Sequence, residues 1–478
     1  MSVLHIGNSR EVFWDDYLID PEQTTAFHRV LPPERKEICF TFDAEQWLEN
    51  CSISYPCILK DEKGYRMYYS PWTFGKKAAF ICICVIESQD GIHWTRPNLN
   101  IYPHPELPEN NVVLEPIMDS AFVFYDTNPA CPPEQKYKAV GQAIATHNGQ
   151  ENVHGLWCWT SPDGYRFTLS HLLSTAGHFD SLNTMFWKDG KYYCYFRSFH
   201  NIDPNLPISK ATRDVRVMWS EDLFHWSEPQ MIFFQDSYDI PLYTNNVIPY
   251  DRAPQVFVGF PVRYCERPAM TENIRQFPSY DIRIRSAEKC EYEVDKEREP
   301  LVGTDSIFMC SRDGVHWYRY NEAFLACDLE TEDNWIYGDC YLAYHWVDPG
   351  DGRYYLYEIN RHFHLDDPKQ LIRYTVRKDG FACMMAGGEE AVIVTKPLIF
   401  SGSRLHLNFA SSAYGSIHVR VLAEDGTPIS GESYEMYGNS IDKICAFPDG
   451  TDFSPYAGTL VRLQFRMRDA KLFSMRFE

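Results

Sequence analysis

Five residues of acid or amide type stand at matching places in a recurring pattern: Glu49, Asp119, Asp180, Asn245 and Asp339. Each opens a short apolar run. For three of them the run leads into a Tyr-rich stretch: Gly64-Tyr-Arg-Met-Tyr-Tyr69, Gly190-Lys-Tyr-Tyr-Cys-Tyr-Phe-Arg197 and Gly352-Arg-Tyr-Tyr-Leu-Tyr-Glu358. Four of the five are carboxylic acids. Gathered in one place, like charges raise one another's pKa and cannot all ionise freely. Such a group supplies an acid and a base near neutral pH, the combination that glycosidic bond cleavage requires. An acidic residue at a strand start can also simply cap it.

Elements that would gather the five are marked by a second phrase. Ser88-Gln-Asp90-Gly91-Ile-His-Trp94 returns as Ser161-Pro-Asp163-Gly164-Tyr-Arg-Phe167, Ser220-Glu-Asp222-Leu223-Phe-His-Trp226 and Ser311-Arg-Asp313-Gly314-Val-His-Trp317, with a worn fifth copy at Arg377-Lys-Asp379-Gly380-Phe381. Asp-Gly between alternating apolar runs is a hairpin turn, with the Asp side chain capping local N–H groups and Gly taking positive φ. The Trp three residues beyond should pack back over it. The openers precede their turn aspartates by 41, 44, 42, 68 and 40 residues. The long fourth interval is explained by a charged stretch, Glu266–Pro300, read as an inserted loop. Repeats of about 40–50 residues with several short strands each mean propeller blades, and five blades are expected. Innermost strands line a central funnel, so the openers should ring one pocket.

The remaining sequence supports an all-β chain: a five-bladed β-propeller followed by a C-terminal β-sandwich. Residues 1–36 should add a strand to the last blade or pack at the domain junction, 37–390 form the propeller, and 391–478 form the sandwich. There, Arg404–Phe409, Ser416–Ala423 and Leu460–Met467 alternate with period two. This last module should contribute no catalytic group. Helical periodicity is almost absent.

Composition narrows the function. Among 478 residues, 45 Lys and Arg against 66 Asp and Glu leave a net charge of −21, which argues against a nucleic-acid partner and an anionic membrane surface. Aromatic residues reach 15%, suiting pleated strands and stacking on sugar rings. The N-terminus shows no basic segment followed by an apolar one, and the longest apolar run, Ala78–Ile86, falls short of the ~20 residues of a membrane helix. Fifteen cysteines without framework spacing fit a reduced, cytoplasmic protein. The oligomeric state stays open. His362-x-His364 and His345 lack an acidic partner nearby, Cys82-x-Cys84 lies in an alternating strand, and no phosphate-cradling Gly-rich loop occurs; neither a metal nor a cofactor is expected.

Beside the expected funnel, Arg66, Arg197 and Arg263 close Tyr-rich or aromatic strands, and Glu358 takes the similar place in blade five. An Arg near carboxylates would hold one ionised and grip sugar hydroxyls. Asn245 would contact substrate, and Trp47 and Trp187 could stack on a sugar face or pack between blades. Asp180 precedes an aromatic strand, Met185-Phe-Trp187, apolar enough to make it the expected proton donor. Asp119, followed by small Ser120 and Ala121, should stay ionised.

Five blades, Ser-x-Asp-Gly-x-x-Trp turns, an acidic funnel and a C-terminal β-sandwich resemble the furanosidase superfamily of glycoside hydrolase families 32, 43 and 68, closest in domain order to family 32. The resemblance covers nearly the whole chain. It implies an exo-acting glycoside hydrolase on small oligosaccharides or glycosides. Blade one would give the nucleophile or base, blade two a stabilising Asp and blade three the acid. Matched by blade, these are Glu49, Asp119 and Asp180. The chain lacks Asn-Asp-Pro-Asn-Gly, Arg-Asp-Pro and Glu-Cys-Pro at the corresponding places, and Asp180 stands where those families carry Glu. Two other functions fit the same fold. A glycoside phosphorylase would need a basic phosphate pocket, which an acidic funnel would not provide. A non-catalytic carbohydrate-binding propeller would need no acid at all.

Overall fold

The computed structural model of the chain describes residues 3–42, 52–72, 81–104, 108–115, 117, 119–267, 274–288, 293–329, 335–362 and 367–478. The chain forms two compact units, one of residues 33–248 and 257–375, the other of residues 1–32, 249–256 and 376–478.

The larger unit is a five-bladed propeller. Blade one is built from strands Ser52–Asp61, Gly64–Trp72, Ile83–Ser88 and Trp94–Thr95. Blade two is Asp119–Tyr125, Tyr137–His147, Gln150–Ser161 and Thr168–Ser174, and blade three is Thr184–Lys188, Lys191–His200, Thr212–Ser220 and Gln230–Met231. Blade four pairs Phe257–Gly259, Met309–Ser311 and His316–Arg319, with Phe233–Phe234 added in parallel at its edge. In blade five, Arg353–Asn360 and Gln370–Arg377 are completed on the outside by Glu34–Thr41, so an early strand closes the last blade. The middle strands are covered on both faces, which is why they read as near-continuous apolar and aromatic runs: Tyr68, Tyr69, Tyr195, Tyr354 and Tyr357 are fully buried.

The four intact turn phrases adopt one geometry. The serine Oγ accepts from the backbone N–H of Gly91, Gly164, Leu223 and Gly314 at 2.9–3.0 Å. The turn aspartate accepts from the two N–H groups beyond, at 2.8 Å for both Ile92 and His93. Trp94, Trp226 and Trp317 donate their indole N–H back to the turn carbonyl. The φ angles of 74°, 75°, 71° and 79° at the fourth position of the phrase favour glycine sterically.

Glycine meets a second requirement there. The Gly164 carbonyl accepts the hydroxyl of Tyr68 at 3.0 Å, Gly314 that of Tyr195 at 2.8 Å and Gly91 that of Tyr357 at 2.6 Å. In each case a Tyr on a buried strand of one blade reaches the turn of the next, and Tyr357 joins blade five to blade one. A Cβ at these glycines would lie 2.5–2.7 Å from the hydroxyl. Leu223 departs from the pattern, and its carbonyl meets a ring nitrogen of His171 at 3.1 Å instead.

The stretch expected as an inserted loop carries two short helices, Tyr280–Glu288 and Glu293–Arg298. Buried Arg283 anchors it by donating to the carbonyls of Pro278, Pro300, Val302 and Trp335.

The smaller unit takes in the first 32 residues rather than beginning near residue 391. Leu4–Gly7 pairs in parallel with Leu398–Phe400, Glu11–Val12 lies beside Arg462–Phe477, and Phe27–Val30 beside Ala382–Ala386. Leu405–Leu422 and Arg462–Phe477 pair along most of their length over a core that includes Leu407, Val419, Phe465 and Phe477. The worn fifth turn phrase serves this unit. With no serine to accept its turn N–H groups, Asp379 is a buried hub, accepting from Tyr250 and Ser474 at 2.6 Å and pairing with Arg252 at 2.9 Å and Arg10 at 3.3 Å. Against a burial that would raise its pKa, the two arginines and hydroxyls hold it below the usual carboxylate value.

Replacing Tyr195 by Phe removes one of the two donors to the buried Gly314 carbonyl, leaving the Trp317 indole N–H, and should cost about 1–1.5 kcal/mol. Tyr193→Phe, on a half-buried neighbour, should stay within about 0.5 kcal/mol. Urea unfolding of both variants checks the contrast.

Candidate functional site

A cavity of about 530 Å³ opens in the propeller, lined from blades two to five. Blade two gives Gln142. Blade three gives Arg197, Phe199 and Arg213 from its two central strands, and the loop entering it gives His178 and Asp180. Blade four gives Tyr243 and Tyr264, blade five Tyr337, and the insertion Arg298.

Strand register explains the grouping. Arg197 and Phe199 are two residues apart and share a face, while Arg213 stands opposite Phe199 across the ladder. The Arg197 guanidinium lies 4.7 Å from the Phe199 ring centre and 5.4 Å from that of Tyr243. Arg213 lies 3.9 Å from the Tyr264 ring centre. Tyr337 and Tyr55 bring their hydroxyls to that of Tyr243 at 2.9 and 3.3 Å, so blades one, four and five meet through three phenols. Burial raises Tyr337 and Tyr264 above the ordinary phenol pKa, keeping both protonated. Burial, then Arg197 and Arg216, lower the pKa of His178 and favour its neutral form.

Of the expected catalytic acids, Asp180 lines the cavity with half of its side chain exposed and forms an ion pair with buried Arg197. A guanidinium in contact favours the charged carboxylate, so the physical basis for Asp180 as proton donor is lost. The apolar strand that suggested that role follows Asp180 in sequence, but Arg197 is its neighbour in space. Asp119 pairs in register with cavity-lining Gln142; its side chain, like Glu49 and Trp47, lies outside the described residues. Asp339 is buried and does not line the cavity. It accepts from the Ile336 N–H at 3.3 Å, capping the turn before it. Burial and then Glu358 raise its pKa well above the usual value.

The other expected residues are held in the framework. Asn245 accepts from Thr184 at 2.6 Å and donates to the carbonyls of Leu182 and Tyr195. Arg66 pairs with Asp61 at 2.8 Å and donates to the Asp163 carbonyl at 2.6 Å, tying blade one to the turn of blade two. Arg263 grips Asp305 with two bonds of 2.6 Å. Glu358 accepts from the Cys340 N–H and the Tyr374 hydroxyl, both at 2.7 Å, and burial raises its pKa. Trp187 packs edge-on against Tyr192. His362 meets Ser52 Oγ at 2.7 Å, and His364 lies outside the described residues. No metal-holding group of three His, Cys, Asp or Glu occurs among the described residues.

The main departure from expectation is electrostatic. The described lining carries Arg197, Arg213 and Arg298 against one carboxylate, Asp180. The acidic funnel that argued against a phosphate pocket is therefore a cation-rich cavity among the described residues. Arg213 and Arg298 lie outside the repeated opener pattern. Pairing the strands on either side of Asn201–Ala211 would have aligned Arg213 with Phe199, but no sequence repeat marks the position of Arg298.

No protein-family model matches the chain, and no curated protein does. Among solved structures, the chain is similar to a family 32 β-fructofuranosidase of Bombyx mori, at 8% identity over 96% of this chain and 95% of that one, with a TM-score of 0.40. It is similar to a family 43 arabinoxylan arabinofuranohydrolase of Bacillus subtilis at 11% identity over 93% and 99%, TM-score 0.39. It is also similar to a mannose phosphorylase of Leishmania mexicana at 10% identity over 73% and 89%, TM-score 0.41. At these identities the likeness is one of fold. No helix among the described residues is long and apolar enough to cross a membrane.

Asp339 supplies a pH test. Its folded pKa lies above its unfolded one, so its contribution to stability is full below the unfolded pKa and is lost as pH rises through the folded one. Its charged and titratable neighbours include Glu358, Arg283, Cys327 and Cys340. Asp339→Asn removes the titration. Its unfolding midpoint relative to the wild type should therefore climb between pH 5 and pH 8, measured by thermal melts across that range.

Proposed function

We propose that the chain cleaves glycosidic bonds of small carbohydrates in the blade two to five cavity, with Asp180 as the charged group at the reacting centre. The observation that carries this reading is the Asp180–Arg197 pair: a half-exposed carboxylate beside a buried guanidinium. Aromatic faces and tyrosine hydroxyls surround it, the surfaces on which sugar rings stack and bond. Charged Asp180 suits a base, a nucleophile or a stabiliser of positive charge developing on the sugar. Asp119, beside Gln142, is the second acid proposed for the site.

A glycoside phosphorylase is the second reading, favoured by one observation: Arg213 lines the cavity with no acidic partner among the described residues. A pure binding propeller would leave the exposed carboxylate without a task.

The test is a screen of nitrophenyl glycosides and short oligosaccharides with products read by NMR. On the best substrate, Asp180→Asn should lower kcat by about 10²–10⁴-fold with little change in KM. The loss should be similar for activated aryl glycosides and for sugars with poor leaving groups, because the role is not proton donation. Wild-type turnover by Asp180→Asn would contradict the assignment.

A further inference from the structure

The chain carries a net charge of −21, yet the propeller cavity is lined by three arginines. Arg213 is the telling one. It is 7% exposed, and its Nε is buried without a hydrogen-bond partner. Among the described residues no carboxylate or carbonyl bonds to its guanidinium, which is held instead between the rings of Tyr264, Phe199 and Tyr243 at 3.9, 5.7 and 5.8 Å. Burying a charge without a partner is costly. Nearby, Arg197 Nε and the Tyr264 hydroxyl are likewise buried and unbonded. Arg197 has Asp180 as its counter-ion, which leaves Arg213 without one among the described residues.

We propose that this cavity binds an oxyanion, a carboxylate, sulfate or phosphate group, held by Arg213 with Arg197 and the Tyr264 hydroxyl. Taking the cavity as the carbohydrate site rests on the function proposed above. Neutral sugar hydroxyls would leave the buried guanidinium charge in place, whereas an oxyanion neutralises it and matches its planar donors two at a time. The anion is either a substituent of the sugar or free phosphate attacking in place of water. In the latter case a phosphate oxygen bonds to the anomeric carbon as the glycosidic C–O bond breaks. The departing oxygen takes a proton, and the product is a sugar phosphate.

Calorimetric titration of the full chain with inorganic phosphate, sulfate and methyl β-D-glucuronide, at fixed ionic strength in chloride, tests the site directly. At least one probe should bind saturably. Arg213→Met should weaken that binding about 10- to 100-fold, and Arg213→Lys should retain part of it. In chloride alone, Arg213→Met should melt no earlier than the wild type, since an unpaired buried charge has been removed. Failure of all three probes to bind, equal binding by Arg213→Met, or a marked fall in its melting temperature would overturn the proposal. Product NMR separates the two sources of the anion. A sugar phosphate formed with added phosphate identifies the free ion, and phosphate-independent preference for a uronide over its neutral parent identifies the substituent. Arg213-dependent binding without cleavage of any glycoside would remove the hydrolytic reading and leave the anion site standing.

Discussion

The propeller depends on one small contact made three times: a tyrosine hydroxyl on a buried strand of one blade donating to the turn carbonyl of the next. Tyr68, Tyr195 and Tyr357 supply it to Gly164, Gly314 and Gly91. Each tyrosine is fully buried, so its ring fills the space between blades while its hydroxyl donates to the carbonyl of a buried glycine. The Ser-x-Asp-Gly turn makes this possible by presenting that carbonyl, and glycine permits the close approach. Sequence phrases that look like separate signatures, the Tyr-rich strand and the Asp-Gly turn, are two halves of one contact. Its copy between Tyr357 and Gly91 closes the ring, joining the last blade to the first.

The cavity inherits its geometry from that closure. Arg197, Phe199 and Arg213 share a face because two strands of blade three pair in register. Phe199 covers both guanidinium groups from blade three itself, and Tyr243 and Tyr264 cover them from the segments of blade four. The cost of burying two arginines so close together is offset at Arg197 by Asp180. At Arg213 it is not offset among the described residues. Natural sites that retain such an imbalance are commonly functional.

Architecture was legible in the sequence because it is written locally and repeatedly. Turn chemistry at Ser88–Trp94 and its copies needs only neighbouring residues, and the strands between follow from alternation. The site was less legible, for a physical reason. Asp180 stood out by its place in the repeat, but its partner Arg197 lies 17 residues away and changes its chemistry. Asp339 shared the same repeat position and is instead a buried turn cap. Asn245, Arg66 and Arg263 are polar because blades need internal ties, and a sequence pattern does not distinguish a tie from a ligand contact. Arg298 was invisible because it sits on an insertion that no other blade carries. Residues 1–36 are expected in the last blade or at the domain junction; Glu34–Thr41 joins the last blade, and three earlier strands pair within the smaller unit. Pairing partners nearly the whole chain apart leave no local mark.

The central claim is that the cavity around Arg197 and Arg213 is where this protein receives its ligand. Anomalous diffraction at the selenium edge, from crystals grown without oxyanions and soaked in selenate, tests it most directly. The account predicts a strong selenium peak inside the cavity, with selenate oxygens about 3 Å from the Arg213 guanidinium nitrogens. Peaks confined to surface lysines and arginines, with the cavity holding none, would contradict it.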